Sequence, residues 1–418
     1  MIQTRHASFE HEQDGSAVLR PLWRSIDRWC LERLARAFDG APIWLKIWNG
    51  SAIALSASAP LGSLFIRDRA TLLRLVTRPP ELAFGEAYVA GRLTVVGDLT
   101  RILEGLSRAL AERWPSHPRR RRLAISPASA RDNVHAHYDL GNEFYRLWLD
   151  EAMVYTCAYF ERPDATLEQA QRAKMEYICR KLRLRPGDRV VDAGCGWGAL
   201  ALHMAEHHGV TVRAYNISEP QLDFARARAR QAGLDGRVTF INADYRSIEC
   251  PCDAFVSVGM LEHVGRRQYH ALGRVMDGAL DKHHGRGLLH FIGRARPRPF
   301  DRWTTRYIFP GAYAPALSEV LPDAFETCGF SVTDVENLRL HYAKTLEHWK
   351  TRFEDHADVV RDRFDEAFVR MWRLYLASAE ASFLSGDLEL FQVVFDRPRD
   401  NDLPWSRRPL YDEASTPA

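Results

Sequence analysis

The segment from Asp188 to Gly198 constrains this chain more than any other. It reads Asp188-Arg-Val-Val-Asp192-Ala-Gly194-Cys195-Gly196-Trp197-Gly198. Val190 and Val191 predict a buried strand, and Ala199–His208 predicts a helix that starts where the glycines end. Three glycines at that junction mean a tight turn whose backbone can approach a ligand closely. In open α/β sheets ligands bind at the carboxyl ends of strands, where such a loop sits. The flanking pattern agrees. Strands are predicted at Arg189–Asp192, Val210–Tyr215, Val238–Asn242, Ala254–Val258, Gly287–Ile292, Ser331–Asn337 and Leu388–Phe395, with helical stretches between most of them. Strands alternating with helices make a doubly wound, mostly parallel sheet.

Two pieces precede that sheet. Residues 1–113 read as a small α+β domain. Helices are predicted at Val18–Phe38, Thr71–Arg78 (ended by Pro79-Pro80) and Leu99–Arg113, and short strands within Ile43–Leu55 and Ser63–Arg67. Residues 114–133 form a linker with Pro115, Pro118, Pro127 and the run Arg119–Arg122. Two readings of the arginines stand: a solvated hinge, or an anchor for anionic lipid headgroups worth about 1 kcal/mol per cation. Trp114 beside them suits a membrane interface. Residues 134–418 carry the glycine loop. A late stripe, with Phe364, Phe368, Met371, Leu374, Tyr375 and Phe383 at helical spacing, reads as core and as a candidate acyl tunnel.

Composition excludes several classes. The net charge of +3 gives no global pull toward nucleic acid. The 7 cysteines are scattered, and Cys250-Pro251-Cys252 without a second pair makes a poor zinc site, so no metal is expected. Reduced thiols imply a cytoplasmic setting. The first fifteen or so residues lack the apolar core of a signal peptide. No run approaches the roughly 20 apolar residues of a spanning helix. The chain is expected to be soluble or peripheral to a membrane.

The loop spacing is Asp-x-Gly-x-Gly-x-Gly, not Gly-x-Gly-x-x-Gly, although a Gly-rich loop alone could serve a dinucleotide. The form resembles the glycine loop of Rossmann-like class I methyltransferases, which implies S-adenosylmethionine. Asp192, Gly194, Cys195, Gly196, Trp197 and Gly198 would form that site. Asn216 and Gln221 follow the second strand and could bond ribose hydroxyls. Equally, Ser218 could simply cap a helix there. Asp244-Tyr245-Arg246 follows the third strand; Tyr245 could stack on a base and Asp244 accept from its amine, or the segment could be a plain loop.

A wider set of motifs then runs in order. Val134-His-Ala-His-Tyr-Asp-Leu-Gly-Asn142-Glu-Phe-Tyr145 resembles an HYDLGNDFY segment, and Tyr155-Thr-Cys157-Ala-Tyr159-Phe a YSCAYF segment. Met260-Leu-Glu262-His-Val-Gly265, Leu289-His290-Phe-Ile292-Gly293, Tyr307-Ile-Phe-Pro310, His341-Tyr342-Ala-Lys-Thr345 and Phe391-Gln392-Val-Val-Phe395 follow. On these the chain resembles the cyclopropane-fatty-acid-phospholipid synthases and the mycolic-acid cyclopropane synthases. Gly85-Glu86-Ala-Tyr88 looks like the small domain of the phospholipid-acting members.

The resemblance implies transfer of a methylene group from S-adenosylmethionine to the double bond of a phospholipid acyl chain at the membrane surface. A carbocation would lose a proton to a bicarbonate ion as the ring closes. Tyr155, Thr156, Asn216, Ile217, Gln221, Tyr245 and Arg246 would complete the cofactor site. Cys157, Glu262, His290, Ile292 and Tyr342 would hold the bicarbonate. A homodimer, peripheral membrane association and no nucleic-acid partner are further implications. Read singly, each bicarbonate residue has a plainer meaning: Cys157 a buried apolar residue, Glu262-His263 a helix surface pair, His290 a core histidine, Tyr342 a strand-end tyrosine.

Departures from the family pattern include Ala214-Tyr215-Asn216-Ile217-Ser218 for Gly-Ile-Thr-Leu-Ser, Thr156 for Ser, and Phe291 for Thr. Ala379 stands where some members carry a cysteine. Three other functions stay open: a methyl-branched or methylene product from the same cofactor, methylation of a small metabolite at nitrogen or oxygen, and an inactive lipid-binding protein.

Overall fold

The structure is a computed structural model that describes residues 19–113 and 140–411. The basic linker with Arg119–Arg122 and the start of the Val134 motif lie outside the described residues.

Seven strands form the main sheet: β5 (Arg189–Ala193), β6 (Thr211–Asn216), β7 (Val238–Asn242), β8 (Ala254–Val258), β9 (Arg286–Gly293), β10 (Ser331–Asn337) and β11 (Glu389–Asp396). Their order is β10-β11-β9-β8-β5-β6-β7. The run from β9 to β7 is parallel, and β11 lies antiparallel between β9 and β10. Every residue of β5 after Arg189 is buried, as it must be in a strand with helices on both faces. The chain leaves β5 toward β6 on one side and returns to β8 on the other. That reversal opens a crevice at the carboxyl ends of β5 and β8, where such sheets bind ligands.

The first residues form a smaller sheet of β1 (Ile43–Ile47), β2 (Ala52–Ala54), β3 (Gly62–Ile66) and β4 (Leu93–Gly97), in the order β2-β1-β3-β4. Burial alternates along β1 because helices cover one face only. The segment Phe84–Val96 divides between the helix Pro80–Val89 and β4. Both parts of the chain share one hydrophobic core. Thr100 Oγ1 donates to Glu380 Oε2 at 2.9 Å, and Lys350 Nζ donates to Thr100 Oγ1 at 2.8 Å. Gly85 lies against the indole of buried Trp303, which a Cβ there would meet at 2.1 Å. Among the described residues no helix is long and apolar enough to cross a membrane.

Candidate active site

The crevice opens into a cavity of about 470 Å³, within the usual range for small-molecule sites. Every residue the sequence assigns to the cofactor lines it except Gly198. Gly198 instead serves packing: at φ +82°, its Cβ would sit 2.8 Å from Ala225 and from the Phe240 ring. Gly194 and Gly196 also hold positive φ, turning the loop under the cavity. Asn216 ties the floor together. Its Nδ2 donates to Gly196 O at 3.2 Å and to Gln221 Oε1 at 2.8 Å, and its Oδ1 accepts from Ile217 N at 2.8 Å. Trp197 Nε1 donates to Asn142 Oδ1 at 2.8 Å, so the Val134 motif ends by anchoring the glycine loop. Both carboxylate oxygens of Asp244 accept from Arg246 at 2.6 Å.

Two polar atoms on this wall are buried without a partner, Asp192 Oδ2 and Tyr245 Oη. Unsatisfied buried polar groups are costly and call for an explanation. A ligand with a cationic amine and a hydrogen-bonding base fits them, as S-adenosylmethionine would. Burial lifts the Asp192 carboxyl to about 7, with Lys174 pulling the other way. Burial lowers the Lys174 ammonium to about 8.

The opposite wall is the strip Met153–Phe160, which has no regular structure of its own. Side chains hold it in place. Asp150 accepts from Ala152 N and Val154 N, which clamps Met153 at φ +59°. Gln171 Nε2 donates to Thr156 O at 2.8 Å, and Lys174 Nζ donates to Thr156 Oγ1 at 2.9 Å. Thr345 Oγ1 accepts from Ala158 N, and His341 Nδ1 accepts from Phe160 N. Sequence reasoning missed Gln171, Lys174 and Thr345. The available signal was Gln171 and Lys174 on the buried stripe of the helix Leu167–Lys181, beside Met175 and Ile178.

Of the residues expected to hold bicarbonate, Glu262, Ile292 and Tyr342 line the cavity, and Cys157 and His290 do not. Glu262 is buried, not a helix surface residue. Its Oε1 accepts from Ile292 N at 2.6 Å, while Oε2 has no partner. Burial raises its carboxyl to about 7. His263 also faces the cavity, and burial lowers it to about 4. Tyr342 lies in the helix Arg339–Asp355, not at a strand end; its ring packs 4.5 Å from Phe383. Cys157 is fully buried, donates weakly to Ala158 O, and has a thiol held protonated by burial. It offers no nucleophile. His290 sits on β9 beneath the wall, with Gln392 Nε2 3.1 Å from its Nδ1. Burial holds it well below the usual histidine range.

The cavity continues past Tyr375, Ala379 and Phe383 of the helix Glu366–Ser385. Tyr375 Oη lies 2.7 Å from Tyr155 Oη. Phe364, Phe368, Met371 and Leu374 pack elsewhere in the core and do not line it. Away from the cavity, Cys179, His203 and His208 bring potential metal-ligating atoms within 4.8 Å of one another. Glu176 bonds to both histidines there, and those bonds hold its carboxyl well below the usual range.

Residues 126–393 match the family described as mycolic acid cyclopropane synthetase. A probable fatty acid methyltransferase of Pseudomonas putida is 38% identical over 383 residues, covering 88% of this chain and 96% of its own. The cyclopropane-fatty-acyl-phospholipid synthase of Escherichia coli strain K12 is 34% identical over 392 residues, covering 90% and 99%. The crystal structure of mycolic acid cyclopropane synthase CmaA1 complexed with SAH and CTAB matches with a TM-score of 0.61 and 31% identity, over 65% of this chain and 99% of that one.

Proposed function

The chain belongs to the mycolic acid cyclopropane synthetase family, and we propose from that premise that it adds a methylene group to the double bond of a phospholipid acyl chain. It is a methyltransferase of the S-adenosylmethionine-dependent class. The observation that carries the proposal is the joining of two halves in one cavity. The glycine loop and Asp192 line one side, and Glu262, Ile292 and an aromatic extension line the other. Methylation of a small metabolite would need no such extension.

When bound, S-adenosylmethionine supplies an electrophilic methyl group. The chain's residues do the rest. Asp192, Asn216 and Tyr245 hold the cofactor. Tyr155, Phe309, Tyr375 and Phe383 line the acyl channel and exclude water. Their ring faces stabilise positive charge on the acyl carbon by cation–π attraction. A proton must then leave the new methyl group. When bound, bicarbonate supplies the base for that step. The donors present fit a small oxyanion: Glu262 is substantially protonated near neutrality, with Oε2 unspent. Tyr342 lines the same cavity, and His290, on β9 behind the lining, is proposed as the third donor. The thiol of Cys157 takes no part; its role is structural.

The membrane surface enters the proposal through exposed tryptophans on the first domain. Trp29 is 49% exposed, with Arg33 5.3 Å above its ring, a pairing suited to anionic headgroups. The test is mass spectrometry of acyl chains after incubating unsaturated vesicles with the protein and methyl-labelled S-adenosylmethionine. A labelled gain of one CH₂ with loss of the alkene is expected. A labelled methyl branch or exomethylene would favour the second reading, to which the name of the Pseudomonas relative lends weight. Cofactor binding with no label in lipid would overturn both.

A further inference from the structure

A row of side chains crosses the main sheet from β9 through β11 to β10. In the strand register His290 of β9 pairs with Gln392 of β11, and Gln392 pairs with Glu336 of β10. Lys181, in the last turn of the helix Leu167–Lys181, reaches over them with its side chain 1% exposed. Its ammonium donates to Gln392 Oε1 at 2.7 Å and to Glu336 Oε2 at 2.5 Å, and lies 4.4 Å from the Tyr177 ring centre.

An ammonium carries only donors. Gln392 must therefore turn its oxygen to Lys181, which leaves its NH₂ facing His290 Nδ1 at 3.1 Å. A donor facing Nδ1 requires a lone pair there. The proton of the neutral imidazole then sits on Nε2. We propose that Lys181, acting through Gln392, fixes the His290 proton on Nε2, so that the imidazole serves the reaction as a hydrogen-bond donor and never as the proton acceptor. Its use in the reaction rests on the function proposed above; the relay itself does not.

Three features support a relay rather than incidental packing. Gln392 is fully buried, so no water can satisfy a reversed amide. Glu336 is the more exposed end of the row, and its carboxylate opposes the lowering of the Lys181 ammonium by burial. Burial together with the cations Lys174 and Lys181 keeps the ring from taking a second proton. Lys181 and Gln392 are thus positioning residues. This is the arrangement expected where another group must remove the proton.

The test uses full-length protein labelled with ¹⁵N-histidine, with His290 assigned by the signals lost in His290→Asn. Wild type should show Nε2 protonated and Nδ1 as the pyridine-type nitrogen. Gln392→Glu is nearly isosteric, but its carboxylate accepts from both neighbours and should draw the proton to Nδ1. Its kcat should fall at least tenfold, with KM for S-adenosylmethionine within twofold. Lys181→Arg keeps a donor and should retain the wild-type tautomer, which guards against a misfolded Gln392→Glu. An Nδ1 proton in wild type, or an unchanged tautomer in folded Gln392→Glu, would overturn the relay. A reversed tautomer with unchanged turnover would overturn the donor role. If wild type labels no acyl chain, the function fails, yet the tautomer measurement still decides the relay.

Discussion

Two glycines two residues apart in one loop should fail in opposite ways. At Gly198 an added Cβ meets Ala225 Cβ and the Phe240 ring at 2.8 Å, with φ at +82°. The left-handed backbone costs an L-residue about 1–2 kcal/mol. Overpacking a core adds about 1–3 kcal/mol. Gly198→Ala should therefore lose about 2–5 kcal/mol of stability, which for a chain of 418 residues is a fall of about 2–6 °C in melting temperature. Gly196 differs. At φ +54° it carries a comparable backbone cost, but no atom lies within 4 Å of its would-be Cβ, and the residue lines the cavity. Gly196→Ala should lose only that backbone cost, a fall of about 1–2 °C in melting temperature. A methyl group in the cofactor's space should instead cost binding about 1–3 kcal/mol, roughly 5–150-fold in Kd. Thermal melts without ligand and calorimetric titration with S-adenosylmethionine separate the two effects. If Gly196→Ala binds like wild type, or Gly198→Ala melts like wild type, the division of labour in this loop is wrong.

Two further outcomes follow from buried charge. Glu262 titrates near 7, so turnover should fall as pH rises through about 7 and the carboxyl loses the proton with which it donates. Glu262→Gln, which stays neutral, should flatten that limb in a pH–rate profile, and Glu262→Ala should cut turnover at least a hundredfold. The Lys174 charge lowers the Asp192 carboxyl, which titrates near 7. Affinity for the cationic cofactor should therefore improve as pH rises through about 7, and in Lys174→Met that midpoint should move upward when measured by titration across pH 6 to 9.

The parallel strands were legible because doubly covered strands are runs of apolar residues. Val190–Val191 and Phe255–Val256 announce themselves, and the expected ends miss by a residue or so. The place of β11 between β9 and β10 was not legible, because pairing depends on which edge remains open after the parallel core forms. Register then decides chemistry. Nothing in the sequence puts Gln392 beside His290. Tyr342 was misread as a strand end, although Tyr342, Leu346, Trp349 and Phe353 form a buried helical stripe. Lys174 was missed because a lysine is normally a solvent residue. Here the carbonyls and hydroxyl of an irregular strip must be satisfied, and that need brings Gln171 and Lys174 inside.

The pKa shifts around the proposed base run in opposite directions and converge on one effect. Burial raises Glu262 toward neutrality and depresses His290 far below it. Near neutral pH His290 is uncharged and Glu262 keeps its proton for about half of the molecules, so both can donate. A cationic pocket would hold an anion more tightly but would also lower its proton affinity, which opposes proton abstraction from a methyl group. Neutral donors orient the anion and leave it basic. The nearby cations are already engaged: Lys174 bonds to Thr156 beside the carboxylates of Asp150 and Asp192, and Lys181 is paired with Glu336. The low dielectric that makes this pocket costly to build also strengthens the attraction between the anion and an acyl carbocation. In the proposed reaction, positive charge thus passes to the acyl carbon where its attraction to the anion is least screened, and proton transfer neutralises both.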